Sequence, residues 1–600
     1  MLSKLERNEL EDKIKILHSG DEKQLEVIFS QSKRLIVEAP AGYGKTKTMI
    51  SKIAYMLAIN QIKNPNKILA LTFSVNAAYK IKKDVAEQLP NLFQSKTSHF
   101  IKPQEKLFIS NFHGFCRHIL KLYGYLLHDN LNDIDTLKTV DDSKIKELGE
   151  ITGLAYDNLK IFDEYSKAVK SVNREYLKNS YNLYIEEVKQ KIIDKKYISF
   201  NAIIILVLEL FQKYPSILKF YQKYFSTVIV DEFQDTNILS WTLLKRIISE
   251  DSRVIFIGDS LQRIYGFIGA IPDLMVEARQ LYNMDTISLN KNYRFKDNPQ
   301  MLQLDKNIRL NAENPRNPII VNDAEIVFCN PKNQEEEAKE ILNIISALEI
   351  HNSEKHYKLA ILVKKNKGDD IDKIFNCLSK NNISYYYALF GDEDYDYLRF
   401  HRECSFRFTE QIKKERVISK QSLDKFYELI SKYFSHNKSN LIINSLLDLL
   451  KVFLARVRTE YNFLSSEEKI VFIRDTFENN ALKQNMEYID KNVIVSTIHG
   501  AKGLEWDYVI MPDMEQYSNP NWNGLCGECT YKKNCDIKIS DSNERKFLEE
   551  LSVFYVGVTR ARKQVFFSAS KTRINYKGVE NSVNISCLLK LPGIKFKFDN

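Results

Sequence analysis

Three short apolar runs set the pattern of the chain: "LIVE" (35–38), "STVIV" (226–230) and "RVIFIG" (253–258). They are β-branched and continuous rather than alternating, and polar or turn-forming residues follow each one. Runs of this kind predict strands covered on both faces, as in a parallel sheet. Long stretches of helical periodicity separate them. Examples are "LKTVDDSKIKELGEITGLAYDNLKIF" within 117–198, "YISFNAIIILVLELFQKYP" after it, and "KFYELISKYF" and "IINSLLDLLKVFLARV" within 376–484. Strands alternating with helices predict α/β domains with mainly α-helical insertions.

The first run opens into Ala39-Pro40-Ala41-Gly42-Tyr43-Gly44-Lys45-Thr46. In a phosphate-binding loop of the form G-x-x-x-x-G-K-[ST], backbone N–H groups surround the phosphates, the lysine reaches the β and γ oxygens, and the hydroxyl ligates Mg²⁺. Here Ala39 takes the first glycine position and Pro40 lacks an N–H. The second run delivers Asp231 and Glu232 at its C-terminal end, where open α/β sheets bind ligands. Asp231 suits Mg²⁺, and Glu232 suits orienting or deprotonating the attacking water. The third run sets Gln262 within reach of the same phosphates. Loop and carboxylates together predict an ATPase.

Composition changes this picture little. The 600 residues are 44% hydrophobic and 28% charged, ordinary for a globular chain and long enough for about four domains. Lys and Arg number 87 against 78 Asp and Glu, so the formal charge of +9 favours an anionic partner. No apolar run approaches the ~18–20 residues of a membrane span, and the start "MLSKLERNELEDKIK" is charged. A cytoplasmic chain with no membrane partner is expected. Eight cysteines are too sparse for a disulfide scaffold, and only Cys526, Cys529 and Cys535 cluster. Glycine, at 19 in 600, is used sparingly and concentrates near these same segments.

Further segments carry a resemblance. "GDEKQLEVI", "APAGYGKTK", "LALTFSVNAA" (69–78), "ISNFHGFC" (109–116), 226–237, 253–270, "LNKNYRF" (289–295), "VSTIHGAKGLEWDYVI" (495–510) and "EELSVFYVGVTRARKQ" (549–564) stand in the order of the motifs of superfamily 1A DNA helicases of the UvrD/Rep/PcrA family. The chain resembles that family from Gln24 to Arg562. The family's loop also begins with Ala, while Pro40 and Lys47 depart from it. The resemblance implies two RecA-like parallel-sheet domains of the P-loop NTPase class, each with a mainly α-helical insertion, and ATP and Mg²⁺ between them.

It implies roles residue by residue. Gln24 would read the adenine and Tyr293 stack on it. Ala41, Gly42, Gly44, Lys45, Thr46 and Lys47 would surround the phosphates. Thr46 and Asp231 would hold Mg²⁺, and Glu505 would bind nearby. Glu232 and Gln262 would act in hydrolysis, with Arg294 and Arg560 as arginine fingers from the second domain. Phe73, Phe112, His113, Tyr265, Phe267 and His499 would line a channel for single-stranded DNA, where stacked aromatics hold bases without sequence preference. Phe267 and Ile268 stand where the family usually has Trp and Arg.

The implied organisation is a first RecA-like domain 1A in two parts (1–116 and 199–288) interrupted by insertion 1B (117–198). A second, 2A, also in two parts (289–375 and 485–600), is interrupted by a compact insertion 2B (376–484). The cluster "GLCGECTYKKNC" departs from the family pattern. Cys526, Cys529 and Cys535 could hold Zn²⁺ or an iron–sulfur centre with a fourth ligand from elsewhere, for which Cys404, Cys587, His401 and Asp536 are candidates. Two functions fit: a DNA helicase and single-strand translocase moving 3′ to 5′ on single-stranded and duplex DNA, or a DNA-dependent ATPase sensor in an antiphage defence complex with a separate nuclease or other protein partner.

Overall fold

The strands of the first half form where the apolar runs predict them: β1 (Arg34–Glu38), β2 (Ile68–Thr72), β3 (Leu107–Asn111), β4 (Lys138–Val140), β5 (Tyr197–Ser199), β6 (Thr227–Val230), β7 (Arg253–Gly258) and β8 (Asp285–Ser288). The computed structural model describes residues 4–93, 103–266, 269–352, 356–415, 417–437, 440–527, 529, 534–574 and 578–598. The chain divides into two units, Met1–Lys291 and Asn292–Asn600.

In the first unit six strands form one parallel sheet in the order β3-β2-β6-β7-β1-β8. Period-two alternation sends successive residues to opposite faces. Leu35, Val37, Ile229, Ile255 and Ile257 join one core with Met49, Ile50 and Ile53 of the helix Lys45–Ala58. Ile36, Val228, Val230, Val254 and Phe256 join a second core on the other face. That second core runs without a break into the inserted segment. Phe115 and Ile119 of the helix Phe112–Tyr123 and Ile203–Val207 of the helix Phe200–Lys213 pack both on the sheet core and with Leu148, Phe162, Tyr184 and Ile192 of the insertion. The insertion also contains the short parallel pair β4–β5, so it is not wholly helical.

The second unit contains β9 (Ala324–Cys329), β10 (Leu359–Val363), β11 (Tyr385–Ala388), β12 (Val493–Thr497), β13 (Trp506–Met511), β14 (Ala561–Ser568), β15 (Thr572–Ile574), β16 (Glu580–Ser582) and β17 (Ile594–Phe598). Seven of them form a parallel sheet in the order β11-β12-β10-β13-β14-β9-β17. The helices Gln334–His351 and Asp369–Lys380 cover one face through Ile341, Ile345, Ile371 and Ile374. The helical segment begins at Tyr395 rather than 376, because "SYYYA" forms the edge strand β11 beside β12. Its helices Tyr395–Glu415, Lys420–Tyr433, Leu441–Thr459 and Ser466–Glu478 share an aromatic core. Phe408 meets Phe426 at 5.4 Å and Phe477 at 6.0 Å between ring centroids. The expected α/β class with two parallel sheets is borne out. Among the described residues no helix is long and apolar enough to cross a membrane.

A buried ionic cluster fastens the ends of the second sheet's strands. Arg573 donates to Asp513 and Glu515, both at 2.8 Å, and lies 3.0 Å from Asp370. Glu337 accepts from Ser568 at 2.6 Å and Ser570 at 2.9 Å. Burial holds the Asp513 and Glu515 carboxyls well above their usual range, and Arg573 opposes that shift. Removing a partner from a buried pair costs about 3–5 kcal/mol, because a charge is left uncompensated. Arg573→Met is therefore expected to lower the urea midpoint strongly at pH 7.5. The loss should shrink at pH 5.5, since the stranded carboxyls, with folded-state pKa values above the unfolded ones, are stabilised by protonation as pH falls. An equal loss at both pH values would show that their charge is not what Arg573 balances.

Candidate functional site

The C-terminal ends of β1, β6 and β7 lie side by side, with Glu38 paired to Gly258 and Val230 to Phe256. The loop after β1 turns through Gly42 and Gly44, at φ +83° and +80°, and the helix Lys45–Ala58 starts directly after it with no side-chain cap. Its first backbone N–H groups therefore keep their anion-binding character. Gly44 is required twice over: its φ suits glycine, and a Cβ there would stand 2.5 Å from the Gln24 amide nitrogen.

Lys45 donates to Glu232 and lies 3.6 Å from Asp231. Burial would lower the pKa of this ammonium, but Asp231 and Glu232 outweigh burial and raise it, so it stays charged. Asp231 is itself pushed up by burial and pulled back by Lys45. Its Oδ1 is buried without a hydrogen bond. A buried hard oxygen with no hydrogen bond, its nearest cation Lys45 at 3.6 Å, fits Mg²⁺ together with the hydroxyl residue Thr46 on the first turn of the helix. Bound there, Mg²⁺ would neutralise charge on the β and γ oxygens.

Glu232 sits at φ +52°, a left-handed conformation that is uncommon for a non-glycine residue. Two hydrogen bonds hold it there, since Lys45 binds Oε1 and the Gln234 amide donates to Oε2 at 2.6 Å. Gln234 in turn accepts from the Asp259 backbone N–H at 3.1 Å, and the Gln262 amide donates to Asp259 Oδ2 at 2.8 Å. A chain of bonds thus joins Lys45, Glu232, Gln234, Asp259 and Gln262. Gln234 escaped the sequence reading. The signal available was its place inside "DEFQD" opposite Gly258, whose absent side chain leaves room for the Gln234 carbonyl oxygen.

Gln24 is buried on the helix Glu22–Phe29 beside this loop. Its amide donates to the Tyr43 carbonyl at 2.9 Å and its oxygen bonds His18 Nδ1. That acceptor requires the proton on Nδ1, which leaves Nε2 to accept from Ser51 at 2.9 Å. Burial lowers the His18 pKa, in keeping with a neutral ring. Gln24 is thus built into the support of the loop. Lys47 donates to the Leu17 carbonyl at 2.6 Å, anchoring the N-terminal helix instead of facing the loop's anion site.

Of the aromatic candidates, Phe73 and Tyr265 stack on each other with centroids 5.1 Å apart, half-buried just past β2 and β7. Phe112 corrects the expectation of a channel residue, because it is 5% exposed and belongs to the hydrophobic core under the helix it begins. His113 packs edge-on against Phe200, and burial with Arg117 nearby lowers its pKa to about 4. His499, in the second unit, is likewise lowered to about 4 by burial and by Lys364 and Lys502. Both rings are neutral at physiological pH. Phe267 and Ile268 lie outside the described residues.

In the second unit Asn292 caps its own loop by accepting from the Arg294 and Phe295 backbones, and half-buried Tyr293 lies between. Arg294 donates to Glu505 and to the Thr559 carbonyl. Arg562 approaches Glu505 at 3.4 Å. Arg560, at 3% exposure, donates to the carbonyls of Val556 and Leu504 at 3.0 and 3.1 Å. Arg560, like Arg294, is thus bonded within its own unit, and Glu505 serves as the counter-ion of Arg294.

Cys526 and Cys535 are buried and Cys529 is half-buried. Cys404 and His401 belong to the buried face of the helix Tyr395–Glu415, where His401 Nδ1 bonds the Tyr397 carbonyl. Asp536 lies 3.6 Å from Lys590.

Comparison with known proteins agrees with this geometry. Residues 21–283 match the UvrD/REP helicase N-terminal domain, and residues 395–572 match the UvrD-like helicase C-terminal domain. The ATP-dependent DNA helicase PcrA of Staphylococcus aureus is 24% identical over 671 aligned positions that cover 96% of this chain and 87% of that protein. Probable DNA helicase II homologs of Mycoplasma capricolum and Mycoplasma genitalium are 24% and 23% identical and cover 92% and 89% of the chain, and 84% and 82% of their own lengths. Both halves of the chain carry the family's domains, and the protein belongs to the UvrD/Rep family of ATP-hydrolysing DNA helicases.

Proposed function

We propose that the protein is an ATP-driven translocase on single-stranded DNA that moves 3′ to 5′ and unwinds duplex DNA, coupling hydrolysis to movement of its two RecA-like units. The observation that carries this reading is the bonded chain from Lys45 through Glu232 and Gln234 to Asp259 and Gln262. It joins the phosphate-binding lysine to the water-orienting carboxylate and continues past β7 toward Tyr265, which stacks on Phe73. Occupancy of the phosphate site can thus reach an aromatic platform suited to bases. Lys45 binds phosphate, Glu232 orients the attacking water, and Gln234 positions Glu232. Arg294 stabilises charge on the transferring phosphoryl group once phosphate replaces Glu505 as its partner, and Arg560 supports that segment from within the unit. Tyr293 and Gln24 contribute to the nucleotide site. ATP and Mg²⁺ meet the needs of phosphoryl transfer, and the cysteine cluster takes no part in it.

The deciding experiment is strand displacement from 3′-tailed, 5′-tailed and blunt duplexes side by side. Displacement of the 3′-tailed substrate alone is expected; equal displacement of all three would overturn the polarity. The compact helical segment from Tyr395 supports a second reading, a DNA-dependent ATPase subunit of an antiphage complex with a separate nuclease. DNA-stimulated hydrolysis without displacement from any substrate would favour it.

Four outcomes are expected of variants. Glu232→Gln should lose about 10²–10⁴-fold in turnover, the usual worth of a general base, while retaining nucleotide and strand binding. Gln234→Ala should lower kcat with little change in KM for ATP; turnover equal to wild type would remove Gln234 from the positioning role.

Arg294→Ala should lose roughly 10³-fold or more in DNA-stimulated ATPase, as removal of an arginine finger does. A twofold loss would assign Arg294 to structure alone.

Phe73→Ala should weaken single-strand binding by about 1–3 kcal/mol, the worth of one stacked base. The slope of affinity against salt should stay the same, since no phosphate contact is lost. A shallower slope in fluorescence anisotropy would show that Phe73 supports a phosphate contact rather than a stack.

A further inference from the structure

Thr72 ends β2 fully buried, and its hydroxyl has no hydrogen-bond partner. Such a hydroxyl costs stability, because the bonds it makes with water in the unfolded chain are not replaced. Valine is branched at the same carbon and suits a strand equally well. The fold alone therefore gives no reason for an oxygen here.

The strand register shows what that oxygen adjoins. β2 runs parallel to β6 with Leu71 opposite Val230, and the Asp231 N–H donates to the Leu71 carbonyl at 2.9 Å. This bond continues the ladder by one step and sets Asp231 opposite Thr72, at a strand spacing of about 4.7–4.9 Å. Ile68 and Ala70 of β2 and Ile229 of β6 join the core beneath the helix Lys45–Ala58. Alternation along both strands turns Thr72 and Asp231 to that same side, in keeping with the 3.6 Å between Asp231 and Lys45. On the other flank β3 sets Asn111 opposite Thr72, but Asn111 spends its Oδ1 on the Gly114 N–H at 2.7 Å. Thr72 Oγ1 and Asp231 Oδ1 thus belong to neighbouring residues, and both are buried without hydrogen bonds on the side where Lys45 and Thr46 begin their helix.

We propose that Thr72 is a positioning residue of the Mg²⁺ site, its hydroxyl reserved for the hydration shell of the ion that Asp231 binds. The proposal rests on the reading of Asp231 as the Mg²⁺ carboxylate and adds to it a residue from a different strand. Mg²⁺ gives up water reluctantly and keeps several waters beside carboxylate and phosphate oxygens. Those waters need acceptors. A neutral hydroxyl oxygen serves without adding negative charge next to Asp231 and Glu232. Phe73 follows directly and stacks on Tyr265, so β2 ends by placing one residue at the cation site and the next in the aromatic pair.

The test compares Thr72→Val, Thr72→Ser and Asp231→Asn in the full chain. Without metal or nucleotide, Thr72→Val is expected to melt at or above the wild-type temperature, since it removes an unsatisfied buried hydroxyl. Titrating Mg²⁺ into protein and a fluorescent ATP analogue reads the second arm by binding rather than turnover. Thr72→Val should need about 10–100-fold more Mg²⁺ for half-saturation, the usual worth of a group that holds a metal's ligands, and Thr72→Ser should stay near wild type. An unchanged Mg²⁺ requirement in Thr72→Val overturns the proposal. So does a raised requirement accompanied by a lower melting temperature, which would mark a hydroxyl that serves the fold. Asp231→Asn separates this from the reading beneath it: if its Mg²⁺ requirement is that of wild type, both fall, and if it is raised while Thr72→Val binds as wild type, the proposal alone falls.

Discussion

A charged lysine held between two carboxylates at the edge of a parallel sheet is the constraint on which the rest of the first unit turns. Lys45 cannot leave water without its counter-ions, since an unpaired buried ammonium would lose its proton or unfold its surroundings. Asp231 and Glu232 supply them, and they can do so only because β1 and β6 flank β7 in register. The sheet order, in which β7 lies between β6 and β1, is therefore what brings residues nearly two hundred positions apart into one ion pair. Continuous apolar strands make this possible by burying both faces of the sheet, so the polar chemistry collects at the strand ends.

The same constraint accounts for the strained backbone at Glu232. A left-handed glutamate persists where surrounding bonds over-determine it. Lys45 on one oxygen and Gln234 on the other do this, and Gln234 is itself fixed by the backbone after β7. Strain, positioning and the link between strands are one arrangement. Its counterpart in the second unit is simpler, with Arg294 held by Glu505 and backbone, and Arg560 held almost wholly by backbone carbonyls.

The sequence made the sheets and the phosphate loop legible, because the chemistry needs fixed residue types at fixed spacing. Lys45, Asp231 and Glu232 meet as their positions after apolar runs require. What it could not reveal depends on which way a side chain faces. Phe112 reads as an aromatic near a strand end, yet it starts a helix whose apolar face covers the sheet. Gln24 matches the family motif and Lys47 stands at a motif position, but they spend their hydrogen bonds on Tyr43, His18 and Leu17. The three consecutive tyrosines of "SYYYA" show no alternation of polar and apolar residue types, so the segment passes for part of a helical insertion until β12 offers it an edge.

If Lys45 binds phosphate and Glu232 acts as the base, as proposed, the geometry also orders the events of nucleotide binding. Lys45 has one strong partner in Glu232 Oε1, and an arriving phosphate competes for that ammonium directly. A phosphate oxygen displaces the carboxylate at little cost in charge, since one anion replaces another beside the same cation. Glu232 then loses its Lys45 bond but keeps the Gln234 amide at 2.6 Å on Oε2. The carboxylate is freed on one oxygen and held on the other, the condition a residue needs to accept a proton from water without swinging away. Binding the nucleotide and arming the base would in this way be a single exchange of partners at Lys45, with the Gln234 amide holding Glu232 in place.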